Sequence, residues 1–241
     1  QSLELKLNTV PCSRGDFAFT TLTFGQWDVD TDNTDKFWLK TIGETLLKVR
    51  KNGHNGFMVV FPKLVYLYDK NQIENDRFSQ SLFDEAVKTS STCMYPDYLS
   101  LDGAIEVNKV AQEFRDYGTI ISPMGCRAYV SHYEDENGAR TIGRCNIGAV
   151  SLNIPVIMAV AKQEFGSDWK SKFWSLLDAR LETVREFLKK RYDIIRNTKA
   201  STNPLAFTQG GFYQGYLKPD DKIGDLVKYM TASFGITALN E

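Results

Sequence analysis

From Asp16 to Phe24 the chain is dense in aromatic and β-branched residues and halts at Gly25, a pattern that predicts a buried strand after a polar start. The Asp-rich stretch from Asp28 to Asp35 interrupts it. With Asp35 as N-cap, Phe37, Leu39, Ile42, Leu46, Leu47 and Val49 then recur at helical spacing until Asn52-Gly53 stops the run. Residues 56–68 return to an apolar, β-branched run containing Pro62, and Phe78 to Thr89 has the apolar spacing of another helix. A weaker helical pattern covers 105–117. It is followed by an extended segment around Cys126 and a polar linker, 134–140, whose Asn137-Gly138 step signals a chain reversal.

A second strand reads from Arg144 to about Ser151. Asn153 then suits a cap and Pro155 the first turn of a helix with Val156, Ile157, Val160 and Ala161 on its apolar face. Between Asp168 and Asn197 nine apolar residues keep a period near 3.6 with charges between them, the signature of a long packing helix. Residues 223–230 read as helical and 232–239 as a final buried strand. Strands separated by helices predict an α/β chain with crossover connections, because parallel neighbours require them. No repeat, low-complexity tract or linker divides residues 1–241, which read as a single segment.

Composition removes several classes of function. Lys plus Arg number 29 against 30 acidic residues, and no basic run appears, which argues against a nucleic-acid partner. The longest apolar stretches, 57–68 and 149–161, are too short or too interrupted to span a bilayer, and the first residues lack a signal-peptide pattern. The expectation is a cytosolic protein. Cys12, Cys93, Cys126 and Cys145 are widely spread and form no CxxC pair, so neither a metal site nor a disulfide framework is expected. The loop from Asn203 to Gly211 has a glycine pair but no Walker lysine and no clean GxGxxG, a weak phosphate signal.

The chemistry concentrates at Cys126, in Ser122-Pro123-Met124-Gly125-Cys126-Arg127. An arbitrary cysteine is most often a small buried hydrophobe. Here Gly125 permits close backbone approach and Arg127 sets a fixed positive charge beside the sulfur, surroundings that suit radical chemistry or a nucleophilic thiolate. Neither His54 nor His132 can be placed beside it from sequence. Cys12 and Cys93 read as structural, and no role follows for Cys145.

Four ordered segments carry a resemblance: Ser13-Arg14-Gly15 with 17–25, then Met124-Gly125-Cys126-Arg127, then Gly143-Arg144-Cys145-Asn146 with 151–155, and finally 233–241. Together they make the chain resemble, nearly end to end, the central part of the large subunit of anaerobic, class III ribonucleoside-triphosphate reductases. The resemblance implies part of a ten-stranded α/β barrel of the glycyl radical enzyme type, with an inward finger loop. It implies that Cys126 is oxidised transiently to a thiyl radical that abstracts the ribose 3′ hydrogen. Asn146 matches the family's amide that hydrogen-bonds a sugar hydroxyl, against the alternative of a turn or strand-end Asn. Ser13 and Arg14 match a segment near the nucleotide.

The same resemblance implies what this chain does not itself supply. The family's other catalytic cysteine belongs well before Ser13, Cys12 is not a substitute for it, and the glycyl radical and cysteine-ligated zinc belong beyond Glu241. The segment alone is therefore expected to be inactive and to bind no cofactor. Implied partners are ribonucleoside triphosphates, allosteric nucleotides, formate or a dithiol as reductant, a radical-SAM iron–sulfur activating enzyme and, in the complete enzyme, a second subunit in a homodimer. The implied setting is the cytoplasm of a bacterial or phage-infected cell. A non-catalytic nucleotide-binding or interface fragment, or another glycyl radical enzyme, are the alternatives.

Overall fold

The computed structural model describes residues 1–12, 15–104, 108–125, 128–209 and 217–238. The chain is mixed α/β and divides into two compact units, residues 1–132 and 133–241.

The first unit is built on a parallel sheet. Strands β1 (Thr21–Phe24), β2 (Lys63–Tyr68) and β3 (Asp97–Ser100) lie in the order β1-β2-β3, with Thr21 opposite Lys63 and Val65 opposite Asp97. Central β2 buries Leu64, Val65 and Tyr66 in succession, so both of its faces are covered, as an apolar β-branched run in a parallel sheet requires. The connections are helical: α2 (Asn33–Asn52) between β1 and β2, then α3 (Lys70–Asn75) and α4 (Arg77–Cys93) between β2 and β3. Leu47 of α2 and Leu82 and Ala86 of α4 meet Trp27 and Tyr66 in one core, with Phe24, Tyr68, Phe78 and Phe83 around it.

Several boundaries depart from expectation for local reasons. The cap of α2 is Asp32 rather than Asp35, because its carboxylate reaches the N–H groups of Thr34 at 2.7 Å and Asp35 at 2.9 Å. The polar start is a helix, α1 (Ser2–Thr9), docked through polar side chains that apolar periodicity does not register. Glu4 meets the fully buried Arg50 at 3.0 Å, Arg50 reaches the Pro62 carbonyl at 2.5 Å, and the Asn8 amide bonds the Phe61 carbonyl at 2.6 Å. Strand β3 was hidden in the sequence by its four-residue length and alternating half-exposure; it exists because β2 offers it a pairing edge.

Helix α5 (Lys109–Tyr117) is capped by Asn108, whose side chain accepts from Val110 and Ala111; the rest of its expected span, 105–107, lies outside the described residues. The extended segment expected around Cys126 is not a strand at 121–125 or 128–132, and residues 126–127 lie outside the description.

In the second unit the reversal falls where Asn137-Gly138 places it. Antiparallel β4 (Tyr133–Asp135) and β5 (Gly138–Arg140) pair with Asp135 opposite Gly138. Strand β6 (Cys145–Asn153) leads into α6 (Ile154–Phe165), where the Asn153 side chain accepts from Val156 N–H and Pro155 occupies the first turn. Helix α7 (Trp169–Arg196) follows, then the short α8 (Pro204–Phe207) capped by Asn203. The expected helix at 223–230 is a tighter 3₁₀ stretch, Gly224–Tyr229, which feeds β7 (Met230–Thr237). Strand β7 lies parallel to β6, with Cys145 opposite Met230 and Asn153 opposite Thr237. Ala200, Phe207, Ile223, Val227 and Met230 form the core here, with Cys145, Tyr192 and Ile195 packed against it. The glycines of the 203–211 loop lie outside the described residues.

Candidate active-site segments

Of the residues singled out by sequence, Ser13, Arg14 and Cys126 lie outside the described residues, and Asn146 lies within them. The chain on either side of Cys126 and the strand carrying Asn146 can therefore each be built from their own contacts.

On the two sides of residues 126–127, Met124 N–H donates to the Ala128 carbonyl at 2.9 Å. Gly125 lies against Phe19: a side-chain carbon at position 125 would come 3.0 Å from Phe19 Cβ, a contact tight enough that Phe19 would have to shift to admit it. Beyond Ala128 the chain runs past α5, where Glu113 is buried. Glu113 Oε2 lies 2.7 Å from the Tyr129 hydroxyl and 2.7 Å from His132 Nδ1, and the side chains of Glu113 and His132 are each 2% exposed. The Ser131 side chain also hydrogen-bonds this carboxylate. A backbone hydrogen bond from Ile121 reaches the Tyr129 phenol. Tyr117 lies over the His132 ring with centroids 4.6 Å apart.

The electrostatics of this cluster are consistent. Burial on its own raises the Glu113 carboxyl, but hydrogen bonds from His132, Tyr129 and Ser131 outweigh it and hold the group below its ordinary value. Burial first, and then the adjoining Glu113 charge, push the Tyr129 phenol upward, so Tyr129 is a neutral donor. An ionised carboxylate only accepts, so the short contact to His132 fixes a proton on Nδ1. His132 Nε2 is buried with no partner among the described residues. Sequence alone missed this cluster; its one signal was a glutamate on the inward face of an amphipathic helix.

Asn146 is held from both ends of its amide. Its Nδ2 donates to Ser233 Oγ on β7 at 2.6 Å, and its Oδ1 accepts from Gly148 N–H at 2.9 Å. A primary amide has two N–H donors and two acceptor lone pairs, so one donor and one acceptor site remain after these bonds. The β6–β7 ladder shifts register between Asn146 and Ala149, a bulge that re-aims the side chains beside it. The Arg191 guanidinium occupies the space a side chain on Gly148 would need, so a larger residue there would have to displace the end of that long side chain.

Tyr229 gathers the lower end of the same sheet. Arg140 stacks 3.8 Å from its ring centroid, Tyr133 packs edge-on at 5.2 Å, its hydroxyl reaches Asp135 at 3.3 Å, and Arg144 bonds its carbonyl. These contacts hold the β4–β5 hairpin against the start of β7. Cys145, for which sequence gave no role, packs against the core, while Cys93 is buried and Cys12 exposed. Among the described residues no group of three or more His, Cys, Asp or Glu side chains could hold a metal, and no helix is long and apolar enough to cross a membrane.

Comparison with known proteins assigns the chain. A family model described as anaerobic ribonucleoside-triphosphate reductase matches residues 1–241. The chain is 31% identical over 245 residues to the anaerobic ribonucleoside-triphosphate reductase of Salmonella typhimurium, covering 98% of this chain and 31% of that protein. It is 32% identical over 243 residues to the Haemophilus influenzae protein of the same name, covering 98% and 31%. Identity is 30% over 246 residues to that of Enterobacteria phage T4, covering 100% and 38%. The chain belongs to the anaerobic ribonucleoside-triphosphate reductase family. It spans about a third of the length of these relatives.

Proposed function

We propose that this chain is the finger-loop segment of a larger glycyl radical enzyme that reduces ribonucleoside triphosphates to 2′-deoxyribonucleoside triphosphates in the cytoplasm, with Cys126 as the hydrogen-abstracting thiol. The observation that carries the reading is the family match along residues 1–241; the assignment of Cys126 and Asn146 within it rests on the resemblance of their own sequence segments. The mixed α/β architecture with parallel strands suits a place for residues 1–241 within a ten-stranded barrel.

In this reading a glycyl radical elsewhere in the complete enzyme, installed by a radical-SAM iron–sulfur partner, would take the hydrogen atom of the Cys126 thiol, so that S–H breaks, a glycine C–H forms and a thiyl is left on Cys126. The Cys126 sulfur then takes the ribose 3′ hydrogen, forming S–H and leaving a radical at C3′. The 2′ C–O bond breaks and the hydroxyl departs as water. Formate or a dithiol provides the two electrons that, with two protons, complete that water and the new 2′ C–H bond. Finally the Cys126 S–H returns its hydrogen to C3′ and the thiyl is restored. Reversible transfer demands reacting atoms at near-attack distance and a site free of water.

Asn146 contributes the donor and acceptor left after its protein bonds, a neutral group able to hold the sugar hydroxyls without attracting charge. Ser13 and Arg14 are assigned to the nucleotide's surroundings on the resemblance of the Ser13-Arg14-Gly15 segment alone. Zinc, allosteric nucleotides and the second subunit of a homodimer are assigned to the complete enzyme. Cys126→Ser in that enzyme, activated so that the glycyl radical is visible by electron paramagnetic resonance, is expected to abolish nucleotide reduction while leaving the radical signal. Retained turnover would exclude Cys126, and loss of nucleotide binding instead of turnover would favour a purely binding role.

A further inference from the structure

We infer that Glu113 is a positioning residue for Cys126: its buried carboxylate ties the chain after the cysteine to helix α5 and, through the Tyr129 phenol, the chain before it. The inference rests on the reading of Cys126 as the reacting thiol, and it adds a group outside the four segments that carry the resemblance. Three observations carry it. Glu113 accepts from the Tyr129 hydroxyl and His132 Nδ1, each at 2.7 Å, and from the Ser131 side chain, all within six residues after Cys126. Through the Tyr129 phenol the same network takes a backbone hydrogen bond from Ile121, five residues before Cys126. Between these arms, Met124 N–H to the Ala128 carbonyl closes the chain at 2.9 Å.

A fully buried carboxylate is a costly way to fill space, since an apolar side chain of similar volume packs at least as stably. What a carboxylate offers, and an apolar group does not, is several directed acceptor positions on one rigid group. Here those positions converge on Tyr129, Ser131 and His132, just after a cysteine that must be held at near-attack distance, and the Tyr129 phenol carries the link on to Ile121 before it. Helix α5 supplies the rigid support: it is capped at Asn108, and both Ala111 and Glu113 are buried. His132 is in turn kept in plane by Tyr117. A loop held this way loses few conformations when substrate arrives, which is the condition for efficient transfer.

The test uses the complete, activated enzyme with Glu113→Gln, Glu113→Ala, Tyr129→Phe and, as a control, Cys126→Ala. Glu113→Ala is expected to lower kcat by about tenfold to a hundredfold, the scale set by small misplacements of reacting groups. Nucleotide KM and glycyl radical yield should stay at wild-type values. Glu113→Gln keeps one acceptor oxygen and should recover part of the loss, whereas Tyr129→Phe, which frees one arm without changing volume, should fall between. In the unactivated enzyme the alkylation rate of Cys126 by iodoacetamide, followed by mass spectrometry, should rise by about threefold or more as the segment opens.

Wild-type kcat and alkylation in Glu113→Gln and Tyr129→Phe, with Cys126→Ala inactive, would overturn the positioning role and leave the assignment of Cys126 intact. An active Cys126→Ala enzyme would overturn that assignment instead. If Glu113→Ala fails to fold, the near-isosteric Tyr129→Phe variant decides: unchanged kcat and alkylation with intact radical yield would reject the inference.

Discussion

Asn146 and Ser233 meet across β6 and β7 at 2.6 Å, a side-chain bond that fixes the amide plane. Ser233→Ala removes one partner from a half-buried amide and is expected to destabilise the chain by about 1 kcal/mol in urea unfolding. A double-mutant cycle with Asn146→Ala should show coupling of about 0.5 kcal/mol or more, and strictly additive costs would mean the bond is not made. The partnership was only half legible. Asn146 stood out by its place in Gly143-Arg144-Cys145-Asn146, whereas Ser233 lies 87 residues away and becomes a neighbour only through the parallel register. Glu113 was similarly silent: a glutamate in an amphipathic helix is ordinarily solvated, and only the return of residues 129–132 past α5 turns it into a buried acceptor. His132 could not be placed beside Glu113 from spacing for the same reason.

At the scale of the element, long amphipathic helices and the Asn-Gly reversal were legible because their signals are local: α2, α4, α6 and α7 fall close to their expected spans. Short or polar-docked elements were not. Helix α1 is fastened by Glu4 and Asn8, and β3 depends on β2 for its existence. Helix caps lie between these cases, since several acids compete for one role and only geometry selects among them. Asp76 caps α4 through Phe78 and Ser79 N–H and also pairs with Lys36 of α2 at 2.9 Å.

Burial alone raises the Asp76 carboxyl, but Lys36 and these N–H groups outweigh it and hold it below its usual value. A carboxyl depressed in the folded state stabilises fully above the unfolded value, near about 3.9, and loses that contribution as pH falls through the folded value. Asp76→Asn keeps an acceptor for the cap and removes the charge, so at pH 7 it is expected to cost about 0.5–1 kcal/mol. The difference from wild type should shrink as pH falls below the unfolded value and through the lower folded one. Chemical denaturation at a series of pH values measures it, and a gap independent of pH would show that the charge contributes nothing.

At the scale of the whole molecule, the second unit presents a parallel pair, β6 and β7, with no third strand among the described residues. Parallel strands are ordinarily covered on both faces, and two strands are below what a sheet needs for stability by itself. The exposed surface agrees. On β7, Phe234 and Ile236 are 55% and 50% exposed, and α7 has no fully buried residue over 28 residues while Trp174 is 64% exposed. This much was foreseeable in kind, because sequence read both strands and the long helix as apolar, but not in degree: a period of 3.6 shows that a face is apolar, not what covers it. The 241-residue polypeptide expressed by itself is therefore expected to self-associate through this surface over about 1 to 100 μM, the range in which open strand edges aggregate. Light scattering after size exclusion should show a mass that rises with concentration. The double variant Phe234→Lys, Ile236→Lys should shift it toward the monomer, because edge lysines oppose strand addition and cost little where the side chains are already half in water. A monomer across the whole range would mean that β7 and α7 are satisfied as they stand. Unchanged association in the double variant would move the sticky surface elsewhere on the chain.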